Sequence, residues 1–330
     1  MAAPTNTAVS YSQTNIREDL EKMVYNVDPY KTPVLNTAKK TKATQHYHEW
    51  STDSLAAQNT ANAQIEGDTA TPDVTNAVAR LGNYTQISRK VVSLSGSLQA
   101  AKASGQTNSM GYQMLKKSRE LKRDIEGVIT KNAPKVVGTS VAAANTAGLP
   151  AWITANTVFN SGGVPAGANP TGVTAAGSEN FGNGTTARTY SGTAVALTES
   201  DLLTLYQSIF KNSGQIPPYL VVSPKNKQNV SQFTGPGTRF EQVKDKRLNV
   251  AIDVYQTDFG DVRMVPDIFL AQSGDCYAID PEYVRFATFR PFETVPLAKT
   301  GDNDQKMLIV EYALEVANEH AIGGIFDTTG

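Results

Sequence analysis

A chain of 330 residues with 30 basic and 31 acidic side chains, net charge −1, exerts no long-range pull as a whole on nucleic acid or anionic lipid. Its one cysteine, Cys276, excludes an internal disulfide and fits a reducing compartment, and no stretch approaches the ~18 apolar residues a membrane-crossing helix needs. A chain this long can bury about 75% of its unfolded surface as one large or two modest domains, so a sizeable core is within reach.

Residues 1–15 are polar and aperiodic, with neither the basic start nor the apolar run of a secretory signal, so the chain is expected to stay in the cytoplasm. In NIREDLEKMVYNVDPY, Ile16, Leu20, Met23, Val24 and Val27 recur at helical spacing behind Asn15 as N-cap. The prolines of DPYKTPVLNTA then predict an extended crossing. Residues 1–41 read as an N-terminal arm.

From Lys42 to Ser51 the residues alternate, Gln45, Tyr47 and Glu49 against His46, His48 and Trp50. The alternation returns from Arg80 to Leu94, with Tyr84, Val92 and Leu94 opposing Leu81, Ile87 and Val91, and a long polar tip lies between. Two strands with so little apolar payload are marginal alone, so the hairpin at 42–94 is expected to be completed by a neighbouring subunit. Ile16, Trp50, Ile65 and Tyr84, isolated in polar segments, are the side chains expected to be buried by that neighbour.

Ser109 caps a predicted helix that runs to about Asn132, within a region 95–135. Met114, Leu115, Leu121, Ile125, Val128 and Ile129 form its apolar stripe, and Lys116, Lys117, Arg119, Glu120, Lys122, Arg123, Asp124 and Glu126 cover the rest. It would span about 30 Å, a strut wet on most sides.

Residues 136–196 carry only two charges, Glu179 and Arg188, and 43 of these 61 residues are Gly, Ala, Ser, Thr or Asn. Such a segment cannot build a core of its own and must lean on something else. Leu149, Trp152 and Ile153 in GLPAWITAN are expected to dock a turn onto the ordered body. The remainder up to Tyr190 reads as surface loops, least ordered from Ser161 to Gly184.

In 197–272, Thr198 and Asp201 form a capping box for a helix buried through Leu202, Leu205, Tyr206 and Ile209 and closed by Gly214. PPYLVVS follows as a buried strand, PKNKQNVSQF as a second helix, and NVAIDVYQTDFGDVRMVPD as a hairpin turning at Asp258–Asp261. In 273–330, CYAIDPEYVRFATFRPF, with Cys276 as a small core residue, and KMLIVEYALEVANEHAIGGIF are two strand runs expected to pair and to pack on the long helix. The fold class is α+β. Residues 1–135 hold 17 basic and 12 acidic side chains and residues 197–330 hold 12 and 18, so opposite halves of neighbouring copies are complementary in charge.

Chemistry is hard to place on this chain. GSENFGNGTT and GPGTRFEQVK lack the lysine and context of a phosphate-binding loop, and Pro236 has no N–H to donate. DNDQK starts like a calcium loop with Asp302 and Asp304, but Met307 replaces the turn glycine and Ala313 the bidentate glutamate. His46 and His48 share a strand face without an evident third ligand, which favours polar edge residues over a metal site. His320 is the only other histidine, and no carboxylate spacing suggests a dyad. The basic cluster on the long helix is interleaved with Glu120, Asp124 and Glu126, which favours a solvated face with i,i+4 pairs over a nucleic-acid surface. Asn83, Asn183 and Asn229 head N-x-[ST] triplets that read as chance matches without secretion. No catalytic, cofactor or metal residue is assigned.

An arm, a long polar hairpin, a strut helix, a compact α/β module and returning strands, in that order, resemble the major capsid proteins of tailed bacteriophages with the Hong-Kong-97-type fold. NIREDLEKMVYNVDPYKTPVLNTA, RLGNYTQISRKVVSLSG, GLPAWITAN and LTESDLLTLYQSIFKNSG are similar to podovirus-like and siphovirus-like head proteins. The resemblance implies an E-loop at about Lys42 to Leu94, a spine helix at about Ser109 to Asn132, an axial domain from Leu197 to about Gln272, and final strands returning to the peripheral domain. The stretch 136–196 is longer than a minimal member needs, as a surface embellishment or a contact to a neighbour.

That resemblance further implies pentamers and hexamers of identical subunits, assembled in the bacterial cytoplasm into an icosahedral virion head around double-stranded DNA. Portal, scaffolding or decoration proteins would be further partners, with no cofactor, no turnover and no membrane. Three other readings stay open at this point. An encapsulin-like nanocompartment shell shares the fold but encloses an enzyme cargo and no genome. A virion surface-binding protein is favoured if the Gly/Thr/Asn stretch binds glycans. An α/β hydrolase lacks here a G-x-S-x-G elbow.

Overall fold

The protein is described from a computed structural model covering residues 31–53, 55, 58–69, 72, 78–101, 109–160, 167–174, 180–190, 192–233, 254–270 and 273–329. The expected helix over Ile16 to Val27 lies outside the described residues, as do Glu179 and the whole of GPGTRFEQVK.

The described chain opens with a short helix α1 (Pro33–Thr37), where an extended crossing was expected. Pro33 occupies its first turn, where a missing N–H costs nothing and the fixed φ suits a helix. Then come β1 (Lys39–Lys42), β2 (Tyr47–Thr52), β3 (Ala79–Tyr84), β4 (Gln86–Ser95), α2 (Gly96–Ala100) and the long helix α3 (Met110–Thr130). Ser109 caps α3, its side chain accepting from Tyr112 N.

The charge-poor stretch contributes β5 (Thr157–Phe159), β6 (Gly172–Thr174) and β7 (Asn180–Gly182). After it follow α4 (Glu199–Ser213), β8 (Tyr219–Val222), α5 (Pro224–Ser231), β9 (Val254–Thr257), β10 (Gly260–Pro266), β11 (Cys276–Ile279), β12 (Val284–Pro296), β13 (Asn303–Val316) and β14 (Gly323–Phe326). Thr198 and Asp201 close a reciprocal capping box on α4, and Gly214 ends it at φ +68°, the left-handed conformation glycine tolerates best.

Two sheets organise these elements. The first runs β1-β12-β13-β4, with β12 and β13 antiparallel over their length (Phe286 opposite Leu314) and β4 antiparallel to β13 (Val92 opposite Lys306). Leu121, Ile125 and Ile129 of α3 share one core with Leu308, Val310, Tyr312 and Leu314 of β13 and with Val34 and Leu35 of α1. The second sheet runs β5-β14-β11-β8-β10-β9, and α4 seals it through Leu202, Leu205, Tyr206 and Ile209. Each of the two C-terminal strand runs is therefore divided. β12 and β13 pair with each other under the long helix, as expected, whereas β11 and β14 join the second sheet and tie the two cores together. Cys276 is fully buried in β11, and burial pushes its thiol up to about 12.

The alternation from Arg80 to Leu94 is not one strand. β3 pairs with β2 from Tyr84 opposite Tyr47 to Ala79 opposite Thr52, and at Thr85 the chain changes partner from β2 to β13. The inward parity flips with it. Leu81 is buried in β3, whereas Val92 and Leu94 are buried in β4 and Ile87 and Val91 face outward. Thr85 holds the switch, its N–H donating to His46 O and its hydroxyl to Glu311 Oε1.

The stretch 136–196 departs furthest from expectation. Leu149–Ala151 form the expected docked turn, and Trp152 and Ile153 are buried behind it. The rest is not all surface loop, since β5 pairs in parallel with β14 and Asn156 and Arg188 are buried. Hydrogen bonding supplies what apolar bulk does not. Asn156 Nδ2 donates to the carbonyls of His320 and Ile322 and its Oδ1 accepts from Ser208 and Asn212, which joins β5 to α4.

Candidate assembly site

The hairpin β2–β3 belongs to neither large sheet, and its root is fastened by side chains. Asn83 Nδ2 donates to Thr146 Oγ1 and Leu314 O, both at 2.8 Å, while its Oδ1 accepts from Ala147 N at 2.9 Å. Lys135 Nζ donates to Gly82 O at 2.6 Å and lies 5.4 Å from the Tyr47 ring centroid and 5.7 Å from that of Trp152. Burial lowers its ammonium below the usual lysine range. Tyr47 crosses so close over Gly82 that a Cβ there would sit 2.7 Å from the ring, which is why the strand carries glycine.

Two ionic clusters lie beneath. His46 Nδ1 is 3.0 Å from Glu311 Oε1, whose other oxygen accepts from Arg290 Nε at 2.8 Å. Two residues on, His48 Nε2 is 3.0 Å from Glu315 Oε2, and Arg285 Nη1 donates to the same carboxylate at 3.0 Å. Burial raises the Glu315 carboxyl, but His48, Arg285 and Thr41 outweigh it and hold the group below the usual carboxylate range. His48, 15% exposed, is thus not a simple wet edge residue, whereas His46, 74% exposed, stays wet while it reaches Glu311 on β13. Asp302 and Asp304 are also engaged elsewhere, Asp302 against Gly96 and Asp304 with Lys299 Nζ at 2.7 Å.

The four side chains expected at a neighbour's surface separate. Trp50 is half-buried within its own chain, its ring centroid 5.2 Å from that of Trp152. Tyr84 is half-buried beside Tyr47, centroids 4.6 Å apart. Ile65 stands 80% exposed at the tip, and Ile16 lies outside the described residues. Sequence reading missed Leu55, 95% exposed, and Val78, 53% exposed, which flank the same tip. Their signal was present, as lone apolar residues in a polar loop, but Leu55 was hidden in the alanine-rich SLAAQ.

The root and the charge-poor stretch also hold buried charges. Arg188 stacks over Phe326 with its guanidinium carbon 3.5 Å from the ring centroid, donates from Nη1 to Asn169 Oδ1 at 2.5 Å, and donates from Nη2 to the Ile153 carbonyl. Burial lowers it to about 10. Glu319 accepts from Thr154 N, Thr154 Oγ1 and Gly182 N, yet burial raises it to about 7. Glu126, expected on the wet face of α3, is instead fully buried. Its two oxygens accept from Val34 N at 2.6 Å and Leu35 N at 2.8 Å, and burial pushes it up to about 8 against those two bonds. No group of three His, Cys, Asp or Glu that could hold a metal occurs among the described residues, and no described helix is long and apolar enough to cross a membrane.

What this arrangement offers is a braced hairpin with an apolar tip. The sequence model of the SU10 major capsid protein family matches residues 3–329. Over 129 residues the chain is 33% identical to the major capsid protein of Escherichia phage Phieco32, an alignment that spans 39% of this chain and 36% of that one. Its fold is similar to the capsid of Cyanophage A-1(L), at a TM-score of 0.60 and 15% identity, covering 98% of this chain and 100% of that chain. The capsid of a native GTA particle is similar at a TM-score of 0.60 and 12% identity, with the same coverage. At such identities the likeness concerns the fold, which is of the Hong-Kong-97 type.

Proposed function

This chain belongs to the SU10 major capsid protein family, and on that premise we propose that its copies assemble, as pentamers and hexamers, into an icosahedral head around double-stranded DNA in the host cytoplasm. The observation that carries the reading is the tip of the β2–β3 hairpin. Leu55 and Ile65 are 95% and 80% exposed beyond strands braced at their root, so the apolar end of this element stays wet. An exposed apolar tip is stabilised by burial against a second surface, and identical copies in a closed symmetric arrangement supply that surface everywhere at once. The opposite charge of the two halves of the chain, +5 for residues 1–135 and −6 for 197–330, supports contact between unlike faces of neighbouring copies.

The side chains we assign to those contacts are Leu55, Ile65 and Val78 at the tip, with the outer edges of Trp50 and Tyr84 and the segment around Ile16 as secondary contributors. Portal, scaffolding or decoration proteins would meet the finished shell and are not needed for this step. Electron microscopy of the purified full-length chain tests the reading. Closed particles or capsomer rings are expected; a monodisperse monomer at high protein concentration would refute it, and closed particles filled with a protein cargo in place of DNA would point to a nanocompartment.

A further inference from the structure

Helix α3 sorts its charges by flank. At about 100° per residue, Lys116, Arg119, Lys122 and Arg123 fall within roughly a 120° arc, whereas Glu120 and Asp124 lie on the adjoining flank beside Lys117. Of the acidic residues that interleave with this cluster in sequence, Glu120 pairs within the helix and the other two are engaged off it. Glu120 is bound by Lys117 Nζ at 2.6 Å, Asp124 by Lys90 Nζ of β4 at 2.6 Å, and Glu126 is buried on the main chain of α1. Of the self-neutralising pairs that the sequence suggests, one forms, at i,i+3 between Lys117 and Glu120. Among the described residues, Lys116, Lys122 and Arg123 have no carboxylate within 4.0 Å.

The flank is presented rigidly. Lys116, Arg119 and Lys122 are exposed and Arg123 half-exposed, on a helix anchored through Leu121, Ile125 and Ile129. From Lys116 to Arg123 the row covers about 10 Å of helix axis.

We propose that this flank docks the phosphate backbone of a DNA duplex, and that it is the side of the subunit turned toward the enclosed genome. The proposal rests on the reading of the chain as a DNA-filled shell. A duplex presents one phosphate charge per ~1.7 Å of axis, so a straight row of cations about 10 Å long meets several phosphates in any register. Contacts of this kind hold DNA without reading its sequence, which suits a container. A neighbouring copy's acidic surface is the competing occupant. The duplex is favoured because the cores of protein interfaces are depleted of charge, and the unpaired like charges of Lys116, Lys122 and Arg123 on one flank are the reverse of that.

The test uses dissociated full-length subunits and a short fluorescent DNA duplex titrated at several NaCl concentrations, with micrographs of assembled particles in parallel. Each of K116Q, K122Q and R123Q is expected to lessen the slope of log K against log[NaCl] by about 0.9, and the triple variant to lose most of its duplex affinity while still forming particles. K117Q, on the paired flank, should leave the slope nearly unchanged. Duplex binding that survives the triple change, or that falls equally in K117Q, would overturn the proposal. So would a triple variant that keeps its duplex affinity and no longer assembles, since the flank would then be a contact between copies. Wild-type subunits that form no particles would instead remove the shell reading, and with it the duplex as occupant.

Discussion

The indole of Trp50 on the hairpin lies against that of Trp152 in the charge-poor stretch, ring centroids 5.2 Å apart and planes inclined at 47°. An aromatic pair at this distance and tilt adds about 0.5–1.5 kcal/mol beyond the area it buries. The root of the hairpin is thus fastened by the segment that looks least able to fasten anything.

Trp152 is 1% exposed, so Trp152→Ala should cost the dissociated subunit about 3–5 kcal/mol in equilibrium urea unfolding. Amides of residues 47–52 should exchange faster in the variant. A cost under about 1 kcal/mol would mean the pair does not brace the root.

Arg188→Lys keeps the charge but loses the planar stack on Phe326 and the forked donation to Asn169 and Ile153. A loss of about 2–3 kcal/mol is expected, read as a lower thermal midpoint of the subunit. An unchanged midpoint would show that the buried guanidinium does not organise this stretch.

Stability should fall as pH rises from the acid side toward pH 8. Burial raises Glu126 from 4.5 to about 8 and Glu319 from 4.5 to about 7 in the folded chain. The native state therefore keeps protons that the unfolded chain has released, and this stabilisation is complete below the unfolded value and lost as pH passes through 7 to 8. Glu315 acts in the opposite sense, since its lowered value gives stability above the unfolded value that is lost on acidification. In urea unfolding at mildly acidic and mildly alkaline pH, Glu126→Gln should flatten the decline by about 1 kcal/mol or more. Parallel declines in wild type and variant would exclude Glu126 as a source.

Ile65→Asp should leave the isolated subunit's stability within about 0.5 kcal/mol, because the side chain is 80% exposed there. Particle yield by sedimentation should drop sharply. A variant that assembles as well as wild type would remove the hairpin tip from the contact.

Much of this fold is written in local pattern. The capping box at Thr198 and Asp201, the stripe Leu202, Leu205, Tyr206 and Ile209, and the cap at Ser109 specify α4 and α3 through interactions spanning a few residues. What escaped is non-local. The change of strand partner at Thr85 depends on β13, more than 200 residues away, and a period-2 pattern does not say which strand it faces. Glu126 reads as a wet charge because its partners are the main-chain N–H groups of Val34 and Leu35, and backbone donors leave no mark in a sequence. The burial of Asn156 and Arg188 was hidden for a related reason, since a stretch poor in apolar residues reads as surface unless its hydrogen-bond partners are known. Of the candidate site, Ile65 was legible as an isolated apolar side chain, whereas the in-chain partners of Trp50 and Tyr84 required the packing of the root.

Hydrogen exchange of the hairpin in assembled particles and in dissociated subunits tests the central claim most directly. If identical copies cover the tip, amides in 58–69 should exchange about tenfold or more slowly in particles, while the braced strands β2 and β3 change little. Equal exchange at 58–69 in both states would contradict the account.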